Sequence, residues 1–438
     1  MGPHAIAGRP FRRNASRRRR ARYRRGRARV LPTRDVVVVT ERKSFKKIVR
    51  VRMDRTGESY STARRQVGAR ARRLPAASIK GYDRFGPGRH RESALTAHLL
   101  MQAGIEIDEV TACGLGGGIG FLSAVFDYAA MPHPLLTIVA QHHPDPWTPA
   151  VLDRLGVPYT EQHSTSTVAA LGKLRAAIGD GRAALCTVDR AGLPWHGSRS
   201  HESAADPYHV VVAGAEGDTL HVDDTEPTPH PIDAEVFGTA WAAHRKGRHH
   251  LLTVGVPPER IDLRAGVTDA LETTVAHLTG PVLGNSFDVN FGFSGMARLA
   301  ADMRDTRTRS GWARRFGTPA GFDHAMARLD ECLQREYTAA GATRPVYAEF
   351  VAAAAALLGA PALDEAAALL RESGAGWSAL AARAVRARGS GLPDEAPLRT
   401  LFDEMAGVVE ANRATEQRAT ELLLDAAGGS GQRTVTRR

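Results

Sequence analysis

Cysteine is scarce in this chain. Cys113, Cys186 and Cys332 are the only three in 438 residues, and no CxxC spacing occurs. That excludes a disulfide framework and a zinc site, and it fits a reducing compartment. No apolar run approaches about 18 residues, so no spanning helix is expected. Twin arginines occur near the N-terminus, but no hydrophobic region follows them, which argues against an export signal and for the cytoplasm. There is no HExxH and no two-histidine, one-carboxylate spacing among the 17 histidines, so neither a metal nor another cofactor is expected.

Acidic residues are absent from positions 1–34, where runs such as Ser16-Arg17-Arg18-Arg19-Arg20 sit. The formal net charge of +12 is therefore unevenly placed. Residues 1–75 hold 25 Lys and Arg against 4 Asp and Glu, a net of +21, while the remainder holds 34 against 43, a net of −9. The body is mildly acidic, so contact with a polyanion concerns the N-terminal extension alone. Residues 1–43 read as a disordered Arg-rich arm, either a polyanion-binding tail or a merely solvated one, because such a composition buries too little apolar surface to order itself. Residues 44–74 read as a basic helical hairpin, with Ser59 placed to cap its second helix.

Residues 75–260 read as a folded α+β domain. Helical spacing of Ala94, Leu95, Leu99 and Leu100 predicts an amphipathic helix over 92–103, stopped by Gly104. A glycine run follows, Gly114-Leu115-Gly116-Gly117-Gly118-Ile119-Gly120. No strand leads into it and no lysine follows, which disfavours a nucleotide loop; a tight loop packed beneath the preceding helix is the expectation. Strands are expected over 135–140 and 182–189, and a hairpin over 209–214 and 219–224. In that hairpin His209 opens one strand while Asp223 and Asp224 close the next. Such an antiparallel pair brings an imidazole near a carboxylate. Residues 261–390 read as a helical bundle, and 391–438 as one more helix with a disordered basic tail.

The stretch from His90-Arg91 through Leu95, Leu99-Leu100 and Gly104 to Cys113-Gly114-Leu115-Gly116-Gly117-Gly118-Ile119-Gly120-Phe121 resembles the butirosin biosynthesis protein H N-terminal family. The region after it, with Gly341-Ala342-Thr343-Arg344-Pro345-Val346-Tyr347 and Trp377, resembles the helical domain of unknown function that commonly follows. The resemblance implies a papain-like fold. It also implies transfer of an acyl group from a carrier-protein thioester to a small amine acceptor in natural-product (antibiotic) biosynthesis. It makes His209 the base and Asp223 or Asp224 its orienter. It sets His90, Arg91, Glu92, Gly116, Gly117 and Gly118 around the substrate.

One departure bears on all of this: the family's nucleophilic cysteine falls on Arg91. A guanidinium stays protonated in a protein and cannot attack a thioester. Three replacements remain open on the sequence. Ser93 and Cys113 are the nearby nucleophiles. Alternatively His209 activates an amine directly, with Arg91 holding an anionic group. The other reading is a catalytically inactive relative that binds a carrier protein or peptide.

Overall fold

The computed structural model describes residues 79–129, 131–196 and 207–431. The Arg-rich arm and the basic hairpin lie outside the described residues. The described residues belong to one compact unit, and the class is α+β.

The described chain begins with α1 (Arg91–Gln102) and α2 (Glu109–Leu115). The second was expected as part of a linker and glycine loop. Asp108 starts it by accepting the backbone N–H of Thr111, satisfying one of the donors a helix start leaves open. A two-stranded antiparallel ribbon follows, β1 (Ile119–Phe126) with β2 (Leu135–Gln141). Then come α3 (Trp147–Arg154), β3 (Tyr159–Gln162), α4 (Thr167–Gly179), β4 (Ala184–Val188), β5 (Tyr208–Glu216), β6 (Thr219–Asp223), β7 (His230–Asp233), α5 (Ala234–Ala243) and β8 (Leu251–Val254). Six of these strands form an antiparallel sheet in the order β3-β8-β4-β5-β6-β7.

Alternation along β5 divides the sheet's two faces. Val211 and Ala213 pack with Leu95, Leu99 and Leu100 of α1. Val210 and Val212 pack with Leu174 of α4 and with Phe237 and Trp241 of α5. The sheet is thus covered on both sides, and α1 lies against the face from which His209 projects.

The helical part is α6 (Leu263–Thr279), α7 (Gly292–Arg304), the short α8 (Trp312–Arg315), α9 (Pro319–Gln334), α10 (Arg344–Leu358), α11 (Ala362–Ser390) and α12 (Glu395–Gly431). Separate helices were expected over 362–372 and 377–387; α11 runs through both. One hydrophobic core joins α1 and β5 to α6, α10, α11 and α12 through residues such as Leu271, Tyr347, Leu370 and Leu423. The fully buried Arg344–Glu416 pair ties this assembly together. Arg344 Nη1 donates to the carbonyl of Ala140 in β2 at 2.7 Å, and Trp377 of α11 donates to Glu416 at 2.8 Å. Among the described residues, no helix is long and apolar enough to cross a membrane.

Candidate functional site

The first turn of α1 carries His90, Arg91 and Glu92 to the open end of β5. They line a cleft with Gln141 from β2, Arg190 after β4, Tyr208 at the start of β5, and Arg335, Glu336, Tyr337 and Thr338 beyond α9. Sheet and helical parts therefore both contribute walls.

His209 Nδ1 donates to Glu92 Oε2 at 2.8 Å. Glu92, rather than Asp223 or Asp224, is the carboxylate on the imidazole. Burial works against a charge at Glu92, but the neighbouring imidazole prevails and brings the carboxyl down to about 2. The donor assignment at Nδ1 leaves Nε2 as the basic nitrogen of the neutral ring.

The two aspartates go elsewhere because of register. Asp223 pairs with Val211, two residues from His209. Its Oδ2 accepts from His98 Nδ1 and from the Tyr82 hydroxyl, each at 2.7 Å, deep behind α1. Asp224 is a separate hub. It accepts from Trp195 Nε1 at 2.7 Å, His196 Nε2 at 2.6 Å, the Tyr208 hydroxyl at 2.9 Å, and Arg91 Nη2. Burial opposes ionisation there too, yet the Arg91 charge holds the Asp224 carboxyl well below the usual range.

Arg91 is held from two sides. Its guanidinium carbon lies 3.8 Å from the centroid of the Tyr208 ring, a cation–π contact, while Asp224 accepts its Nη2. Burial costs it charge stability, but Tyr208, Asp224 and Glu92 together raise its pKa further above the ordinary arginine value. Nothing in this environment frees a lone pair for attack.

Neither fallback nucleophile reaches His209. Ser93 is fully buried. Its hydroxyl donates to His90 Nδ1 at 2.7 Å, while His90 Nε2 donates to Gln141 Oε1 at 2.6 Å. Cys113 is also fully buried, and desolvation pushes its thiol up to about 12. The glycines expected around substrate instead serve packing. A Cβ at Gly116 would meet Trp147 at 2.3 Å, at Gly117 His142 at 2.6 Å, and at Gly118 Tyr347 at 2.2 Å. Gly117 and Gly118 also have positive φ, 101° and 60°, where glycine carries no side-chain penalty. They line no part of the cleft. Only Gly116, Gly117 and Gly118 form a turn, between α2 and β1; Gly114 lies in α2 and Gly120 in β1.

Sequence reasoning missed Tyr208, Arg190, Gln141 and the 335–338 segment. The first has a signal in the sequence, as the aromatic one residue before His209. The rest come from distant loops that no local pattern joins. Among the described residues, no group of three or more His, Cys, Asp or Glu is arranged to hold a metal ion.

Comparison with family models matches residues 90–225 to butirosin biosynthesis protein H, N-terminal, and residues 239–423 to a domain of unknown function (DUF4872). Comparison with curated proteins gives no match. A crystal structure described as that of a C39-like peptidase from Bacillus anthracis is similar over 42% of this chain and 100% of its own, at 14% identity and a TM-score of 0.29.

Proposed function

Residues 90–225 of this chain belong to the butirosin biosynthesis protein H N-terminal family, with the helical domain of unknown function after them, and on that premise we propose that the protein is a ligand-binding relative of its acyl-transferring members. It engages an acyl thioester, free or on a carrier protein, without forming an acyl-enzyme. One observation carries this reading. Arg91, on which the family resemblance sets the cysteine position, carries a guanidinium held by Asp224 and the Tyr208 ring. Covalent catalysis without its nucleophile commonly loses on the order of a millionfold in turnover. Ser93 and Cys113 offer no replacement, since both side chains are sealed from solvent.

A second reading draws on the His209–Glu92 pair, an imidazole held by a carboxylate at 2.8 Å as in hydrolase triads. Direct transfer would have an acceptor amine attack the thioester carbonyl while His209 Nε2 takes the amine proton. The C–S bond then breaks and the imidazolium returns the proton to the leaving thiolate. Atoms and charge balance without an enzyme-bound acyl group.

Thiol release decides between the two. The full chain is mixed with an acyl-pantetheine thioester and a primary amine, and free thiol is followed with time. Saturable binding with no release above the uncatalysed rate is the expected result. Release that His209→Ala abolishes would overturn the non-catalytic reading in favour of direct transfer.

A further inference from the structure

The cleft holds a feature that neither reading uses. Arg91 and Arg190 approach one aromatic ring, their guanidinium carbons 3.8 Å and 5.0 Å from the Tyr208 centroid. Two cations gathered on one ring repel each other unless anions divide the charge between them. Arg91 has its anion in Asp224. Among the described residues Arg190 meets a carboxylate only at 3.7 Å, on Glu336, beyond hydrogen-bond length. That carboxylate accepts from Arg328 Nη1 at 2.6 Å, a donor it shares with Glu331 at 2.8 Å. Elsewhere in the wall Glu92 accepts from His209 Nδ1, and Arg335 is bonded to Asp330. One guanidinium is therefore left without a hydrogen-bonded carboxylate.

The donors tell the same story. Among the described residues, the Nε and Nη1 atoms of Arg91 and the Nε of Arg190 are buried without a hydrogen-bond partner. The ion-pair approach of Arg91 Nη1 to Glu92 is 3.7 Å, too long for a hydrogen bond. A buried charged donor left unmade costs more than a neutral one, and native sites rarely tolerate several together without an acceptor to fill them. Both residues line the same cleft, so an acceptor entering it can meet donors from each.

We infer that this cleft is a recognition site for a compact organic carboxylate, whose oxygens accept from Arg91 and Arg190 beside the Tyr208 ring. The inference rests on the reading that the cleft binds a ligand, and it adds a carboxylate, distinct from the thioester carbonyl, to what the cleft recognises. Open guanidinium donors from two residues on one wall suit the paired oxygens of a carboxylate. A phosphate dianion would bring a second negative charge against Glu92 and Glu336, which also line the wall. A neutral amide would accept through one oxygen and make no charge-assisted hydrogen bond.

The test is a calorimetric titration of the full chain with hexanoate, hexanamide and inorganic phosphate. Saturable hexanoate binding is expected, with hexanamide and phosphate each at least tenfold weaker. Arg190→Gln should weaken hexanoate at least tenfold. Arg190→Lys, which keeps the charge and loses the planar fork, should fall between, and it is read alone should the glutamine variant lose its native circular dichroism. The assignment is overturned by absence of hexanoate binding, by hexanamide binding as tightly as hexanoate, or by phosphate binding more tightly. Unchanged hexanoate affinity in the Arg190 variant that is read overturns it too. Thiol release is a separate readout. Hexanoate binding in a protein that also turns over thioester would sink the non-catalytic reading and leave this one standing.

Discussion

A thiolate at a helix N-terminus is activated by its surroundings, whereas a guanidinium in the same place is quieted by them. The macrodipole and a neighbouring imidazole favour negative charge there. Arginine adds positive charge, so the structure must supply compensation, and Asp224 and Glu92 do so. Two consequences are measurable. The native protein should react with no thiol reagent, because Cys113, Cys186 and Cys332 are fully buried, and burial raises all three, Cys113 to about 12 and Cys332 to about 11. Labelling with 5,5′-dithiobis(2-nitrobenzoate) should show no fast phase until urea is added. Arg91→Cys should then create one fast-reacting thiol at neutral pH and, with acyl-pantetheine thioester, a burst of at most one equivalent of released thiol. A new thiol that labels no faster than free cysteine would mean that the α1 terminus does not activate a thiol. The partner of His209 belongs to this scale too. The hairpin showed an acid near the histidine, but the register that gives Asp223 to Val211 is a tertiary outcome. The carboxylate that arrives, Glu92, was in view only as a substrate-side residue of the helix start.

Elements with a clean period were legible and elements made of glycine were not. The amphipathic spacing over 92–103 and the β-rich runs on either side of Gly217 correspond to α1 and to the β5–β6 hairpin. The Ser373-Gly374-Ala375-Gly376 stretch reads as a break between helices, yet α11 runs through it. Its glycines are there for close approach: a Cβ would lie 2.8 Å from Pro345 Cδ at Gly374 and 2.0 Å from Asn412 Oδ1 at Gly376. A lone sequence cannot separate a helix breaker from a site where α10 and α12 press against the helix. The same contact region holds Glu416, which accepts from Arg344 twice at 2.8 Å, from Ser373 at 2.5 Å and from Trp377 at 2.8 Å. Removing one partner of such a buried pair leaves a bare charge, at a cost of about 3–5 kcal/mol. Glu416→Ala should lower the urea midpoint accordingly, and a change below about 1 kcal/mol would show that water or another group takes over at Arg344. Gly118→Ala should also destabilise, by about 1–3 kcal/mol, since its Cβ would enter the Tyr347 ring at positive φ.

At the scale of the molecule, the sheet and the helices share one core, so acid stress on either should be felt by both. Several imidazoles are buried in it. His277 of α6 sits against His142, 4.7 Å between ring centroids, with His143 and Asp145 close by. Burial chiefly, and then the charge His142 would carry, bring His277 down to about 4. His250 is likewise lowered to about 4 by burial and by His209, against the pull of Glu161. His90 is lowered by burial. In each case the folded state holds its proton less tightly than the unfolded chain, whose histidines titrate near 6.5. The unfolded state therefore binds more protons below that value, and stability falls as pH drops from about 6.5 towards 4. For His277 alone the full interval corresponds to roughly 3 kcal/mol. Glu92 adds a further loss at lower pH, because its folded value of about 2 lies under its unfolded one near 4.3, so its contribution fades only as the carboxylate is protonated. Urea unfolding at pH 7.5, 6, 5 and 4 should give a midpoint that declines through this window. Tryptophan fluorescence, with Trp147 and Trp241 in the sheet part and Trp312 and Trp377 in the helical part, and far-ultraviolet circular dichroism should move together. His277→Gln should flatten the decline between pH 6 and 4 while leaving the part that depends on His250. A midpoint that stays level down to pH 4 would mean that these imidazoles take up protons without unfolding. Separate sheet and helix transitions would contradict the shared core.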